Sequence, residues 1–412
     1  MNTPALCRSC AEPLTHTVAD LGLSPVSNAF VKPEDAAKGE IFHPLHAYVC
    51  HHCWLVQLPA TTDARTHFHE DYVYFSSFSS SWVEHAKRYV DAMIPRLHLN
   101  ASSKVMELAS NDGYLLQHFV KAGIPCLGIE PTANTAAAAR QKGVESREMF
   151  FGRSTAAQLA QEGWQVDLLL GNNVLAHVPD INDFVGGMPT VLKPEGVVTL
   201  EFPHLLRLMA ENQFDTLYHE HYSYLSLTAL LPIFKRAGLR LFDVEQLPTH
   251  GGSLRIYACR ENASHADTGM VARCVQQEKD GGLTDLGTYA AFEEKVRETK
   301  RALLTFMIAA KREKKRIAAY GAAAKGNTLL NYCGIGTDFI DYVVDKNPVK
   351  QGRLLPGSRI PVRSPDAVFE TKPDYLLILP WNIKEEVMQQ MQGVRDWGCR
   401  FVVPIPSVEV VL

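Results

Sequence analysis

Residues 215–224 concentrate side chains that can donate and accept protons. The stretch reads Asp-Thr-Leu-Tyr-His-Glu-His-Tyr-Ser-Tyr and contains two histidines, one glutamate and three tyrosines. An imidazole with a carboxylate and phenols nearby can transfer protons near neutral pH, because the ordinary pKa of histidine is about 6.5. The same residues could instead form an exposed polar loop that its tyrosines anchor to the core. The density of ionisable groups, together with the Glu-Phe-Pro-His run at 201–204, favours a catalytic segment.

Length and composition limit the classes of protein that such a segment could serve. The chain has 412 residues, 46% apolar and 21% charged, which is typical of a globular protein of two or three domains. Lys and Arg number 41 against 45 Asp and Glu, so the net charge of -4 gives no general attraction to nucleic acid or anionic membranes. The sequence shows neither a signal peptide nor a run of about 20 apolar residues. We expect a cytoplasmic, monomeric, three-domain protein that acts on a small molecule.

Two Cys-x-x-Cys pairs, Cys7 with Cys10 and Cys50 with Cys53, predict a metal site in the first part of the chain. Four thiolates complete the tetrahedral shell of Zn²⁺ and leave no position for substrate, so the ion would be structural. Nine cysteines is an odd number, which suits reduced thiols better than disulfides. Two redox pairs or four buried thiols are the alternatives. Several histidines could compete as ligands, namely His16, His43, His46, His51 and His52.

The central part of the chain alternates short apolar runs with helical patterns, which predicts an α/β fold with a parallel sheet covered by helices. A strand at 104–108 leads through small residues into a helix, a turn where a cofactor can approach the backbone. The next strand, 126–129, ends at Glu130, whose carboxylate could accept both hydroxyls of a ribose. Two further strands are expected at 167–171 and 192–201. The predicted cofactor-binding residues are Glu107, Ala109, Asn111, Gly113, Tyr114, Glu130, Asn134, Asn172 and Asn173.

Together these strand ends resemble those of the class I S-adenosylmethionine-dependent methyltransferases, over about residues 100–205. Members of this class carry an acidic Gly-rich turn, a ribose-binding acid and an adenine-side turn after successive strands. The first turn here reads Glu-x-Ala-x-Asn-Asp-Gly, where many members have several glycines. The resemblance implies S-adenosylmethionine as the cofactor. A Rossmann-like domain that binds a different nucleotide is the alternative.

After residue 238 the sequence predicts two closing antiparallel strands and then a second α/β domain. The His-Gly-Gly-Ser turn at 250–253 could hold an oxyanion through its backbone amides, or it could be a plain hairpin turn. Apolar residues at helical spacing predict one long amphipathic helix over 285–316. Residues 316–328 then predict a strand, a small-residue turn that contains Lys325, and the start of a helix. The turn has neither the spacing of a P-loop nor the Gly-x-Gly-x-x-Gly spacing that is typical of NAD-binding domains. A lysine at a helix N-terminus could still hold a diphosphate, in a pocket facing the first.

Four landmarks follow one another along the chain: the four-cysteine N-terminus, the methyltransferase centre, Tyr-His-Glu-His at 218–221 and Tyr-Gly-Ala-Ala-Ala-Lys-Gly-Asn at 320–327. In this order they resemble the nucleotide-sugar C-methyltransferases of antibiotic deoxysugar pathways, and the tetronitrose-type C-3 enzymes look closest. The resemblance implies a zinc-binding domain at 1–65, a methyltransferase domain at 66–284, and a linker helix with a C-terminal Rossmann-like domain at 285–412. It also implies methylation of a carbon, C3, beside the C4 ketone of a dTDP-linked deoxysugar, whose dTDP the C-terminal domain largely holds.

The resemblance also assigns roles to individual residues. A carbon-bound hydrogen beside a ketone needs a base, and the enolate needs stabilisation. His221 would be the base, with Tyr218 and Glu220 positioning the ketone and the base or stabilising the enolate. Tyr72 would reach in from the domain boundary, and His177 would line the pocket. The predicted substrate-binding residues are His250, Gly251, Lys325 and Asn327. A methyltransferase acting on oxygen or nitrogen, and a non-enzymatic zinc-nucleated scaffold, are the competing hypotheses.

Overall fold

The structure is a computed structural model that describes residues 5–61 and 74–411, and this part of the chain contains three β-sheets. The strands are β1 His16–Ser24, β2 His43–Val49, β3 Val56–Gln57, β4 Val105–Leu108, β5 Cys126–Ile129, β6 Ser146–Arg147, β7 Val166–Asn172, β8 Leu192–Pro203, β9 Ser223–Tyr224, β10 Leu239–Leu247, β11 Ser253–Arg260, β12 Ile317–Tyr320, β13 Val343–Val344, β14 Val362–Arg363, β15 Tyr375–Ile378, β16 Arg400–Val403 and β17 Glu409–Val411.

Helices cover the two larger sheets and connect most of their strands. The described helices are α1 Ser80–Arg96, α2 Leu116–Lys121, α3 Ala133–Gln141, α4 Arg153–Gln161, α5 Ile181–Val191, α6 Leu205–Ala210, α7 Leu227–Arg236, α8 Met270–Asp280, α9 Leu286–Arg312, α10 Ala324–Cys333, α11 Asp366–Thr371 and α12 Lys384–Gln390. Within this set no helix is long and apolar enough to cross a bilayer.

Helix α1 shows how the sequence pattern sets the local structure. The side chain of Ser79 accepts a hydrogen bond from the backbone N–H of Trp82 at 3.3 Å, which caps the first turn. The apolar face predicted from the periodicity, with Tyr89, Val90 and Met93, is buried against the central sheet. The helix therefore fixes Trp82 at its N-terminal end, beside the strand ends of that sheet.

The central sheet has the strand order β10-β11-β8-β7-β4-β5-β6. Strands β4 to β8 in this sheet are parallel, whereas β11 is antiparallel to both β8 and β10. This confirms the predicted parallel sheet with two closing antiparallel strands. Because parallel strands share an edge at their carboxyl ends, the turns after β4, β5 and β7 lie side by side.

The N-terminal sheet has the order β1-β2-β3-β9, and its last strand belongs to the predicted catalytic segment. In β9, Tyr224 pairs with Val56 and Ser223 pairs with Gln57, both in β3. Sequence alone places these partners in different domains. The 215–224 segment is therefore fastened at its C-terminal end to the zinc-binding part of the chain.

The C-terminal sheet has the order β14-β13-β12-β15-β16-β17, parallel except for β17. The long helix predicted over 285–316 is α9, and it packs between this sheet and the N-terminal sheet. Val18 of β1, Phe292 of α9 and Ile317 of β12 lie in one buried apolar cluster. The α/β fold with a zinc-binding N-terminus, a Rossmann-like centre and a C-terminal α/β unit is thus confirmed.

Candidate active site and zinc site

The four cysteines predicted as metal ligands converge on one point. The Sγ atoms of Cys7 and Cys53 lie 3.5 Å apart, as do those of Cys10 and Cys50. All four ligand atoms lie within 4.8 Å of one another. Tetrahedral Zn²⁺ with Zn–S bonds of about 2.3 Å places its sulfurs about 3.8 Å apart, so the set fits zinc. The histidines that could have competed as ligands lie outside this cluster.

The zinc-binding part also touches the wall of the main cavity. Arg8 lies between two of the metal ligands, and its guanidinium donates to the carbonyl of Pro179 at 2.7 Å. The same group lies over the ring of Tyr222, 5.3 Å from the ring centroid. Pro179 lines the cavity. A structural change at the metal site can therefore alter the cavity wall through the contact between Arg8 and Pro179.

The main cavity has a volume of about 570 Å³ and lies where the three sheets approach one another. One wall comes from the turns after β4, β5 and β7 of the central sheet. A second wall comes from the 215–224 segment, and a third from the turn between β12 and α10. A cavity of this size suits a small-molecule site. The predicted site residues on its walls are Ala109, Asn111, Tyr114, Glu130, Asn172, Asn173, His177, Tyr218, Glu220, His221, His250 and Lys325.

The central-sheet wall brings backbone and carboxylate groups together as a cofactor site requires. The N–H of Asn111 donates to Oε2 of Glu130 at 2.8 Å, and Oδ1 of Asn111 accepts from the N–H of Ser76 at 2.9 Å. Ala109 and Asn111 have φ values of 55° and 49°, a left-handed conformation rare outside glycine. Such conformations cost of order 1 kcal/mol and occur preferentially at functional sites. The tight turn leaves the strand end open to a ligand.

Glu107 lies buried at the strand end beneath this turn. Within the described residues, neither of its carboxylate oxygens has a hydrogen-bond partner. Burial raises the pKa of Glu107 well above its ordinary value, and the nearby carboxylates of Glu130 and Asp112 raise it further. An orphaned polar group inside a protein is costly unless a ligand or proton satisfies it. The wall therefore fits a polar cofactor with hydrogen-bond donors.

On the opposite wall, two hydrogen bonds fix the orientation and tautomer of His221. Its Nδ1 lies 3.0 Å from the carbonyl oxygen of Thr216, which can only accept, so Nδ1 carries the proton. Its Nε2 then accepts from the hydroxyl of Tyr218 at 2.8 Å. Burial lowers the pKa of His221 well below its ordinary value, and the adjacent His177 lowers it further. The imidazole is thus neutral at pH 7, with an acceptor nitrogen at the cavity wall.

His177 and Glu220 complete this wall. Nδ1 of His177 donates to the backbone carbonyl of Glu220 at 2.8 Å, and the rings of His177 and His221 are 4.6 Å apart in a T-shaped contact. Burial lowers the pKa of His177 to about 4. Burial raises the pKa of Glu220 to about 7, although a hydrogen bond from Asn28 opposes the rise. Near neutral pH, Glu220 can therefore carry a proton while both imidazoles remain neutral.

His250 sits where the central-sheet wall meets the turn between β10 and β11. Nδ2 of Asn173 donates to its Nε2 at 2.9 Å, and the ring makes an edge contact with Trp82. Both His250 and Asn173 have a φ of 54°. Burial lowers the pKa of His250 to about 4. This residue closes one end of the cavity as a neutral group.

Lys325 is a half-buried cation on the third wall. Its Nζ donates to Oδ1 of Asn382 at 2.8 Å and lies 4.6 Å from the ring centroid of Trp381. The Trp381 indole in turn donates to the buried carboxylate of Asp215 at 2.8 Å. Burial lowers the pKa of Lys325 to about 8, whereas the charge of Asp215 opposes this effect. Lys350 also lines the cavity, so this end attracts an anion.

The remaining predicted residues do not reach the cavity wall in the described part of the chain. Asn327 donates to the carbonyl of Ser27 at 2.6 Å and joins two parts of the fold. The carbonyl of Gly251 accepts from Gln213 at 2.7 Å, which makes 250–253 a hairpin turn packed by side chains. Glu107, Gly113 and Asn134 are not among the residues that line the cavity, and Glu107 lies buried in β4, two residues before the lining residue Ala109. Tyr72 falls outside the described residues.

Several wall residues were not predicted. Asn28 and Lys350 come from loops far from the catalytic segment, and Trp82 comes from the first turn of α1. Three apolar residues at 149–151 follow the short strand β6 and also line the cavity. In the sequence these three residues read Met-Phe-Phe, and this apolar run is a signal that could have pointed to them.

Comparisons with known families match the chain in three consecutive parts. Residues 7–68 match the family described as "Putative zinc binding domain", and residues 82–244 match "Methyltransferase domain". Residues 248–406 match "C-methyltransferase C-terminal domain".

Two solved methyltransferase structures each cover less than half of this chain. The magnesium protoporphyrin IX methyltransferase of Synechocystis PCC 6803 with bound SAM is 16% identical with a TM-score of 0.33, covering 43% of this chain and 81% of that one. A Haloferax volcanii methyltransferase complex with the activator Trm112 is 12% identical with a TM-score of 0.35, covering 44% and 94%.

Two curated relatives differ in how much of the chain they match. The Ubiquinone biosynthesis O-methyltransferase of Rhodopseudomonas palustris strain BisA53 is 28% identical over 115 residues, 28% of this chain and 46% of that protein. The C-methyltransferase NovU of Streptomyces niveus is 35% identical over 408 residues, 98% of this chain and 96% of that protein. Since this identity extends over nearly the whole chain, the protein belongs to the C-methyltransferase family, and it is an S-adenosylmethionine-dependent enzyme with a structural zinc site.

Proposed function

We propose that the enzyme methylates C3, beside the C4 ketone of a dTDP-linked 4-keto-deoxysugar, through an enolate, in deoxysugar biosynthesis. One observation carries the proposal most strongly. The Thr216 carbonyl and the Tyr218 hydroxyl hold the imidazole of His221 at the wall of the shared cavity. The cofactor-side turns and the half-buried Lys325 form the other walls of the same cavity.

His221 acts as the general base in this proposal. Its Nε2 has no proton, and its Nδ1 proton is held by a carbonyl that stabilises the imidazolium once it forms. The Tyr218 hydroxyl lies 2.8 Å from Nε2, so the phenol can relay a proton to the imidazole. As the C–H bond breaks, the phenol oxygen takes the proton of the sugar carbon and gives its own hydroxyl proton to Nε2. The electron pair of the C–H bond forms the C=C bond of the enolate, and the π pair of the carbonyl moves onto the ketone oxygen. His177 keeps the ring of His221 in place.

Glu220 stabilises the enolate oxygen. Because its pKa lies at about 7, a large fraction of the carboxyl is protonated near neutral pH and can donate a hydrogen bond. A neutral acid at this position also avoids repulsion between a carboxylate and the developing negative charge. Tyr72 remains a proposed contact to the same sugar.

S-adenosylmethionine, when bound, supplies the methyl group from its sulfonium. Glu130 would hold the ribose hydroxyls, because its carboxylate ends β5 at the cavity wall. Asn111 and Tyr114 would hold the amino acid end, and Asn172 and Asn173 would lie against the adenine. The apolar run at 149–151 would exclude water from that side.

Lys325 would bind the diphosphate of the substrate from the third wall. A half-buried ammonium whose hydrogen bond goes to a neutral amide is well suited to an incoming anion. Lys350 adds a second cation, although Asp345 lies 3.6 Å from its Nζ and screens it. His250 would close the pocket over the sugar as a neutral side chain.

Methyl transfer to oxygen or nitrogen is the second candidate. It is favoured only by the O-methyltransferase relatives, which match a stretch that both kinds of enzyme would share. Transfer to oxygen or nitrogen needs no enolate, so it gives no reason for the imidazole of His221 and the buried carboxyl of Glu220 at the cavity wall.

The product of the reaction tests the proposal. The enzyme would be incubated with S-adenosylmethionine carrying a ¹³C-methyl group and a panel of dTDP-4-keto-deoxysugars. We expect the labelled methyl signal at the chemical shift of a carbon-bound methyl group, with a long-range correlation to the sugar ring. A methyl group attached to oxygen or nitrogen, or no transfer to any sugar of the panel, would contradict the proposal. Lys325→Met is expected to raise KM for the sugar nucleotide, whereas Lys38→Ala, at an exposed site, should leave it unchanged.

A further inference from the structure

The loop between the two cysteine pairs reaches the main cavity. Residues 25–42 connect β1 with β2, and this loop is longer than a compact zinc site requires. Asn28 of the loop lines the cavity wall. Its Nδ2 donates to Oε1 of Glu220 at 2.7 Å. A side chain from the zinc-binding part thus contacts a carboxyl group of the catalytic segment.

The backbone around Asn28 is held by the C-terminal part of the chain. The carbonyl of Ser27 accepts from the buried amide of Asn327 at 2.6 Å, at the start of α10. Phe30, two residues further on, is buried in the apolar cluster that contains the C-terminal sheet. Because both neighbours are fixed, the position of the Asn28 amide is set by packing and not by the loop alone.

Two further contacts fix the rest of the loop. Val31 and Leu354 exchange backbone hydrogen bonds of 2.9 Å and 2.8 Å as an antiparallel bridge. Glu40 accepts from the guanidinium of Arg359 at 2.6 Å and from the N–H of Gly357 at 3.1 Å. The 25–42 loop therefore joins the C-terminal domain to the catalytic segment.

The groups around Glu220 explain why the Asn28 contact matters. Lys350 is the charged side chain that acts on Glu220 from the C-terminal domain. From its own segment and the neighbouring turn come the phenol of Tyr218 and the imidazoles of His221 and His177, and the lowered pKa values of the two histidines keep both rings neutral at pH 7. The Asn28 amide is the hydrogen-bond donor to this carboxyl in the described residues, and such a bond favours the ionised form. The Asn28 amide therefore affects both the position of the Glu220 carboxyl and the fraction of it that is ionised.

We propose that Asn28 is a positioning residue of the active site, which holds Oε1 of Glu220 so that Oε2 is left for the substrate. The zinc-binding part of the chain then contributes directly to the reaction, in addition to stabilising the fold. This inference rests on the role that the proposed function gives to Glu220, but the contact itself can be tested without any substrate.

Infrared titration of the zinc-loaded protein without substrate tests the contact. The band of the protonated Glu220 carboxyl is identified by its loss in Glu220→Gln, and its titration midpoint is then measured in Asn28→Leu and Asn28→Ala. A hydrogen bond to a charged group contributes about 1.5–3 kcal/mol, so we expect the midpoint to rise by about one pH unit or more in both variants. An unchanged midpoint would overturn the inference. Lys38→Ala, an exposed residue of the same loop, is the control that should keep the wild-type midpoint.

Kinetics of the same variants test the positioning role, with the dTDP-4-keto-deoxysugar that gives the highest rate in the panel. We expect Asn28→Leu to lower kcat at least about tenfold while zinc content and thermal stability stay near wild type. A raised midpoint with unchanged kcat would show a contact without a positioning role and so overturn the inference. Loss of activity in Glu220→Gln with full activity in Asn28→Leu would leave the proposed function standing and remove this inference alone. Full activity in Glu220→Gln would contradict both the role of Glu220 in the proposed function and the role of Asn28 as its positioning residue.

Discussion

Replacing Glu220 by glutamine should make the folded protein more stable, although it removes a group proposed to act in the reaction. The side chain is 3% exposed, and its pKa lies at about 7 against an ordinary value of 4.5. Each unit of pKa difference between the folded and unfolded states corresponds to about 1.4 kcal/mol. The ionised carboxylate therefore destabilises the folded state by about 3 kcal/mol when the pH is well above 7.

The sign of this effect depends on pH in a defined way. Well below pH 4.5 the carboxyl is protonated in both the folded and the unfolded state, so it does not lower the free energy of unfolding. As the pH rises from about 4.5 to about 7, the unfolded state ionises while the folded state stays protonated, so the folded state loses relative stability, and above pH 7 the loss is nearly complete. The Glu220→Gln variant, which cannot ionise, should gain about 3 kcal/mol at pH 8 and about 1 kcal/mol or less at pH 5.

Chemical denaturation of the zinc-loaded protein at pH 5 and pH 8 measures this difference. Glutamine keeps the shape of the side chain and an oxygen that can accept the hydrogen bond from Asn28. The control is Glu313→Gln, because Glu313 is exposed beyond the end of α9. A variant that gains no more stability at pH 8 than at pH 5 would refute the reasoning, because Glu220 would then not titrate as a buried acid.

Three other changes should have distinct effects. Cys50→Ser should lose zinc in elemental analysis and also lose most methyl transfer, because the zinc-binding part holds β9 of the catalytic segment in place. Lys325→Met should raise KM for the sugar nucleotide more than it lowers kcat, because the half-buried ammonium is proposed to bind the diphosphate rather than the reacting carbon. His177→Asn should reduce the loss of stability between pH 6.5 and pH 4 in thermal unfolding, since the pKa of His177 is lowered to about 4 and its protonation opposes folding.

The parts of the site that follow a local pattern could be predicted from sequence. The turn around Ala109 and Asn111, the acid at Glu130 and the lysine after β12 each follow an apolar strand, and strand ends of a parallel sheet meet at one edge. The zinc site could be predicted because the Cys-x-x-Cys spacing of each pair lets two thiolates bind the same ion. In these cases the residues that specify the feature lie within a few positions of one another.

The parts that sequence could not predict depend on contacts between distant segments. Asn28 and Glu220 are 192 positions apart, and nothing in the loop that carries Asn28 has a period or motif. The pairing of β9 with β3 involves two residues in each strand, too few to give an alternating pattern. Asn327 illustrates the converse, because its place after a turn suggests substrate binding, whereas its amide holds the 25–42 loop.

Hydrogen exchange at the sugar carbon tests the central claim most directly. The enzyme would be incubated in D₂O with S-adenosylhomocysteine and the preferred dTDP-4-keto-deoxysugar, and deuterium at the carbon beside the ketone would be followed by NMR. We predict that the wild type and His98→Ala, an exposed control, exchange this hydrogen, whereas His221→Ala does not. Exchange at the wild-type rate in His221→Ala would contradict the account, because another group would then remove the proton.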